Sequence, residues 1–360
     1  MAGVERKVQA VILRGPGRLE VTDIPEPPLG PGHVLVRVQA CGICGSDLRY
    51  LRGENPWSQH TLGLRLPSPP DMVLGHEFAG DIVRVSDASL ETRLGERVAV
   101  LAYRGCGACF YCQRGQPNLC ADTAHIGHGA GWGGAEYNPG GMAELCPVWS
   151  EMAYLLPSSI SYDEATLLDG AAVAVHAVTR AEVAEGDWVV VIGCGPIGLL
   201  ALQVARARGA RVVATDIASG PLALAAELGA KITVPAEHGS IAEAVVSATD
   251  GIGAAAVLNS VGTPRSITDS MQLLRACPDR LGEQYLPRVP RSHAPGDRGR
   301  GAVPATDHPS LPTPPGSGGI WRGGAQVGDG RHQGRASPLT HVGGPISHSK
   351  PRATGSAICA

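Results

Sequence analysis

β-branched and other apolar residues gather in short runs through the first hundred positions, each run closed by glycine or proline. The runs KVQAVILRG, LEVTDIP, HVLVRVQACGIC and ERVAVLAY are bounded by GPG, PPLGPG and LGE, which predicts strands joined by tight turns and a mostly-β domain over residues 1–155. From about Glu185 the pattern changes. DWVVVIGCGPIGLLALQVARARGARVVATD reads as a buried strand, a glycine turn, an Ala/Leu-rich helix and a second strand. AKITVPA then GSIAEAVVSA, and AAAVLNSVG then PRSITDSMQLLRA, repeat the strand-then-helix alternation and predict an α/β, doubly wound parallel sheet over residues 156–276. Beyond Ala276 neither periodicity continues.

A length of 360 residues is enough for two cores. A net charge of −3 gives no reason to expect nucleic acid or an anionic membrane as partner. The N-terminal MAGVERKVQAVILRGPG has no secretory h-region, and no apolar run is long enough to span a bilayer, so a cytoplasmic location is expected. Thiols are reduced there by default, which bears on the ten cysteines.

Four of them fall in CGACFYCQRGQPNLC as Cys106, Cys109, Cys112 and Cys120. The spacing Cys-x2-Cys-x2-Cys-x7-Cys lets four thiolates converge and favours a closed, structural zinc site, with an iron–sulfur cluster and unliganded thiols as the alternatives. CGICGSD supplies Cys41, Cys44, Ser46 and Asp47, and GHEFAG supplies His76 and Glu77. Together they point to a second metal site of Cys/His type that keeps room for an exchangeable ligand. Gly193, Gly195 and Gly198, with Pro196 and Ile197 between them, form a G-x-G-x-x-G turn between strand and helix, and Asp216 ends the next strand. That context favours a dinucleotide site over a purely structural βαβ turn, with pyrophosphate expected at the helix N-terminus and Asp216 on the adenosine ribose. A carboxylate there repels a 2′-phosphate, and the following IASG offers no arginine to receive one, so NAD is expected rather than NADP.

With these motifs in this order, the stretch from Val8 to Ala276 resembles the zinc-containing medium-chain alcohol and polyol dehydrogenases. The resemblance implies a GroES-like fold for the β domain and a Rossmann fold for the second. It implies Cys44, not Cys41, and His76 as ligands of a catalytic zinc, with Asp169 of EATLLDGAAVAVHAV at the position of the third ligand. Glu77 matches a glutamate beside the histidine that acts behind the ligands or as an exchangeable one. The four-cysteine loop matches the family's structural zinc lobe. Ser46 matches a hydroxyl that passes the alcohol proton toward the cofactor ribose. Arg49 stands where the family often continues that relay with histidine, and arginine is not an ordinary base. The implied activity is hydride transfer from an alcohol, polyol or amino alcohol to NAD. A zinc-stabilised nucleotide-binding protein without turnover is the alternative.

The resemblance calls for a glycine turn, an apolar strand and further βα units after SMQLLRA. In their place residues 277–360 are roughly one-third glycine plus proline, rich in arginine, histidine and serine, and net basic. The sheet then stops at about its fourth strand where the family has six, with the strands that pair subunits in this homo-oligomeric family missing. A natural disordered tail is one reading; a reading-frame shift near position 277 is the favoured one, since a tail normally follows a finished domain. On that reading His293, His308, His332, His341 and His348 form no metal site, and the chain is poorly stable with little or no activity.

Overall fold

In a computed structural model of the chain, the structure describes residues 6–128, 137–236, 240–275 and 358–359, all within one compact unit. The predicted strands of the first part appear as β1 (Lys7–Gly15), β2 (Arg18–Pro25), β3 (His33–Gly42), β4 (Met72–Val73) and β5 (Glu77–Val85). They are followed by β6 (Arg97–Val100), β7 (Tyr103–Arg104), β8 (Ala124–His125), β9 (Leu145–Trp149) and β10 (Ala153–Leu155). The run ERVAVLAY, expected as one strand, is two: β6 pairs with β5 and β10 in the larger sheet, whereas β7 pairs with β8 in a separate two-stranded one.

Alternation decides which side each strand buries. In β1, Val8, Ala10 and Ile12 face inward while Lys7 and Gln9 are exposed, and they pack with Ile24, Leu35 and Val73. The larger sheet, in the order β10-β6-β5-β3-β9, buries Val34, Val36, Phe78, Ile82, Val98 and Val148 on one face. Its central pair, β3 and β5, runs antiparallel and sets Cys41 opposite Phe78 and Gly42 opposite Glu77. The chain leaves β3 directly into a short helix, α1 (Gly45–Leu51), which the strand pattern does not foretell.

The second part begins with α2 (Tyr162–Ala165) and α3 (Leu168–Arg180). Then alternate β11 (Trp188–Ile192), α4 (Pro196–Ala207), β12 (Arg211–Asp216), α5 (Ser219–Glu227), β13 (Ile232–Pro235), α6 (Ser240–Ala248), β14 (Ala256–Asn259) and α7 (Pro264–Leu273). The sheet is parallel, ordered β13-β12-β11-β14 and extended by β15 (Ile358–Cys359). Val189 and Val191 of β11 pack against α3, α4 and α5, while Val190 and Ile192 pack toward α6 and α7. Helices therefore cover both faces, as the near-continuous apolar strands require.

β15 is a departure from the sequence expectation that no strand follows Ala276. Ile358 and Cys359 pair with Leu258 and Asn259, whose edge otherwise offers unpaired backbone groups, and two residues are too few to show a period. The remaining residues of the expected tail, with their histidines, lie outside the described residues. Among the described residues no helix is long and apolar enough to cross a membrane.

Candidate active site

Cys44 is the N-cap of α1, His76 lies just before β5 and Glu77 is its first residue. Because Gly42 pairs with Glu77, the end of β3 and the start of β5 meet, and one ligand atom from each of Cys44, His76 and Glu77 lies within 4.8 Å of the others. Asp47, 3% exposed, binds this corner together: its Oδ2 accepts the Cys44 amide at 2.8 Å and its Oδ1 accepts the Gly75 amide at 3.3 Å. The same Oδ1 faces His76 Nδ1 at 3.8 Å. Asp47 therefore backs the imidazole and orients the loop that presents Cys44, a role invisible in its sequence position.

The electrostatics suit a cation. Burial opposes protonation of His76, yet its hydrogen bond with Cys44 and the charges of Asp47, Cys44 and Asp169 hold it up to about 9. Burial raises the Glu77 carboxyl, and His76 pulls it back down. Cys41 is different: burial, then the charges of Asp47 and Glu77, push its thiol to about 12, and its Sγ donates to the Gly42 carbonyl. Two buried polar atoms, Ser46 Oγ and His76 Nδ1, have no hydrogen-bond partner. A thiol, an imidazole and a carboxylate beside an orphaned hydroxyl form a donor set that fits zinc with space for a substrate oxygen.

Asp169, in the first turn of α3, does not join this group of mutually close atoms, although its charge acts on both His76 and Glu77. Strand register delivers Glu77 into this group beside Cys44, and Asp169, which the resemblance implied as third ligand, faces it from outside the group. Arg49 is committed elsewhere: its Nε pairs with Glu54 at 2.9 Å, and its guanidinium also meets Gln59 and His60.

A wall of polar rings that the sequence reading missed stands beside the ligands. The His128 ring lies edge-on to His76 with centroids 4.4 Å apart, and its Nδ1 is 3.2 Å from the Tyr50 hydroxyl. His125 Nε2 lies 3.1 Å from Thr123 Oγ1, to which Trp57 Nε1 also donates. Burial lowers His125 to about 4 and His128 well below its ordinary range, so both rings are neutral. The pair in AHIGH, three residues apart just after Cys120, was the available cue.

The four-cysteine loop is assembled. One sulfur from each of Cys106, Cys109, Cys112 and Cys120 lies within 4.8 Å of the rest. Backbone amides point at the sulfurs: Cys109 N donates to Cys106 Sγ at 3.3 Å, Cys112 N to Cys109 Sγ at 3.5 Å and Cys106 N to Cys120 Sγ at 3.4 Å. Amide donors stabilise thiolates, and the Cys112 amide is the main reason that Cys109 falls to about 7. The four are free thiols, and four sulfurs this close to one another fit a tetrahedral metal.

The glycine turn divides its labour. Gly193 has φ +89°, in the left-handed region, and a Cβ on Gly198 would lie 1.8 Å from the Gly193 carbonyl oxygen. A Cβ on Gly195, the N-cap of α4, would meet nothing within 4 Å. Pro196 and Ile197 open the helix behind it, and no side chain caps that end. The turn therefore leaves an open cradle at a helix N-terminus, the arrangement that accepts a pyrophosphate. Asp216 ends β12, and its carboxylate accepts the amides of Cys194 at 2.6 Å and Ala218 at 2.8 Å. Gly198→Ala is expected to destabilise the fold itself, whereas Gly195→Ala should leave the melting temperature near wild type and abolish dinucleotide binding. Calorimetric melting beside NADH titration separates the two.

Residues 30–158 match the alcohol dehydrogenase GroES-like domain and residues 196–277 match the zinc-binding dehydrogenase family. A sorbitol dehydrogenase of Halalkalibacterium halodurans is 33% identical over 72% of this chain and 71% of its own length. An alcohol dehydrogenase from E. coli CFT073, solved in complex with NADH, is 27% identical with a TM-score of 0.65, covering 74% of this chain and 73% of that one. A zinc-binding dehydrogenase from Sinorhizobium meliloti 1021, solved with NADP, is 31% identical with a TM-score of 0.66, covering 75% of each. With the GroES-like domain, the zinc-type ligand corner and the glycine turn in one chain, the protein belongs to the zinc-containing medium-chain alcohol and polyol dehydrogenases, oxidoreductases that act on small hydroxylated molecules.

Proposed function

We propose that the site performs zinc-assisted hydride transfer from a secondary alcohol, polyol or amino alcohol to NAD. The observation that carries this reading is the convergence of Cys44, His76 and Glu77 beside the orphaned Ser46 hydroxyl. When bound, zinc supplies Lewis-acid polarisation of the substrate hydroxyl, and the nicotinamide supplies the hydride acceptor. Cys44, His76 and Glu77 would hold the metal, with Asp169 a second carboxylate within electrostatic reach and Asp47 keeping the imidazole in place. Ser46, donor and acceptor at once, takes the alcohol proton and passes it toward the cofactor ribose. Arg49 does not extend that path, being tied to Glu54. The Cys106, Cys109, Cys112 and Cys120 tetrad would hold the structural zinc. The free thiols support a reducing, cytoplasmic location. Assays of polyols, amino alcohols and simple alcohols with NAD and NADP, beside zinc analysis, test the reading. A single tightly held zinc with no substrate in any assay supports the non-catalytic alternative.

The carboxylate of Asp216 also supports NAD over NADP. Asp216→Ala should erode that preference by about tenfold or more, with zinc content unchanged. Equal or better binding of NADP by the wild-type chain overturns it.

We further propose that residues 277–360 take the place of strands the family uses to complete its second domain and to pair subunits, so that turnover by this chain is low. Sequencing the coding DNA across codon 277 tests this. A continuous frame together with vigorous NAD-linked turnover overturns it.

A further inference from the structure

One buried side chain fastens the loop after β14, and each of its polar atoms has a partner. Asn259 is 1% exposed. Its Oδ1 accepts the amides of Val261 at 3.0 Å and Gly262 at 3.1 Å, and its Nδ2 donates to the hydroxyls of Ser266 at 3.1 Å and Ser270 at 3.0 Å on α7. Those hydroxyls have no proton left to return: Ser266 Oγ donates to the Thr263 carbonyl and Ser270 Oγ to the Ser266 carbonyl. Thr263 Oγ1 caps α7 by accepting the Ser266 amide and donates to Ser266 Oγ. Every direction in the network is thereby set, and position 259 must offer two acceptor contacts on one side and two donors on the other. An amide does this; a carboxylate faces the serine oxygens with nothing to donate.

The neighbouring residue carries the restraint into the glycine turn. The Ser260 amide donates to the Ile192 carbonyl at 2.9 Å, and its hydroxyl, with one proton to give, lies 3.1 Å from the Gly193 carbonyl and 3.2 Å from that of Ile192. Asn259 and Ser260 also border, with Ile197 and Gly198 of α4 and Ala174 and Ala177 of α3, one small void beneath the glycine turn. Hydrogen bonds thus tie α7 to Asn259 and, from the next residue along the backbone, tie Ser260 to Gly193, beside the open cradle at Gly195.

We propose that Asn259 is a positioning residue for dinucleotide binding: it touches no cofactor, but by holding the Val261 and Gly262 amides, and through Ser260 the Gly193 carbonyl, it keeps the pyrophosphate turn in its binding shape. This rests on the dinucleotide reading given above. The probe is ADP-ribose, titrated calorimetrically into the full-length chain well below its melting temperature, with hydrogen exchange of the peptide spanning residues 258–263. Asn259→Asp is expected to bind ADP-ribose about tenfold more weakly, the size of one lost buried hydrogen bond, with faster exchange at Val261 and Gly262 and unchanged zinc content. Ser270→Ala and Ser260→Ala should each weaken binding severalfold, and the Ser270→Ala effect should vanish in the Asn259→Asp background. The two serine variants decide the matter if Asn259→Asp does not fold. Wild-type affinity in these variants, or a lowered melting temperature with affinity intact, overturns the inference alone. Failure of the wild-type chain to bind ADP-ribose overturns the dinucleotide reading and this inference with it.

Discussion

Replacing Cys109 or Cys120 with alanine is expected to remove most of the soluble protein, the largest effect of any single substitution considered for this chain. The loop from Cys106 to Cys120 has little else to hold it. Phe110 is 60% exposed and Leu119 50%, and its regular structure is two three-residue turns of 3-10 helix, Cys112–Arg114 and Pro117–Leu119. Its apolar side chains thus contribute little burial, and the closed thiolate tetrad must supply the order. Structural zinc contributes about 10–16 kcal/mol in small metal-folded units. Whole domains are stable by only about 5–15 kcal/mol, so opening the tetrad exceeds what the rest of the lobe can offset. Soluble yield and zinc analysis of each variant check this. A soluble Cys109→Ala protein with undiminished zinc would show that the tetrad is not a metal site.

Cys44→Ser and His76→Ala should behave in the opposite manner, with the fold kept and the chemistry lost. Both residues sit at the end of well-packed strands whose core, including Val34, Val36, Phe78 and Ile82, does not depend on them. Zinc content should fall from two equivalents to one in each. Removing a partner that merely orients a ligand costs about 10–100-fold, so removing the ligand should lower NAD-linked turnover by more than that. Glu77→Gln and Asp169→Ala decide between the two carboxylates. Greater zinc loss from Glu77→Gln follows from its place in the group; greater loss from Asp169→Ala would mean that α3 moves in to complete the set when metal binds. Retention of both zinc equivalents by Cys44→Ser would remove Cys44 from the ligand set.

What could be read from the chain alone was whatever is written within a few dozen consecutive residues. The tetrad lies inside one loop, and the glycine turn with Asp216 lies inside one βαβ unit, so covalent spacing already brings the groups together. The parallel sheet and its two helical layers were legible for the same reason: near-continuous apolar strands alternate with helical segments that must cover both faces.

The ligand corner was legible only in part, because its members come from separate segments and pairing register decides which of them meet. Gly42 lies opposite Glu77 in β3 and β5, and a slip of one residue would turn Glu77 to the other face and away from Cys44. Nothing local to Glu77 or Asp169 states that outcome. The same holds for Asp47 behind His76 and for His128 against His76 across a long stretch of chain. Sequence determined the family, the two domain types and the chemistry of each motif, since these follow from residue type and short spacing. Tertiary structure alone decided which carboxylate stands in one group with the thiol and the imidazole and which rings wall the site, since these depend on strand register and on the packing of elements distant in the chain.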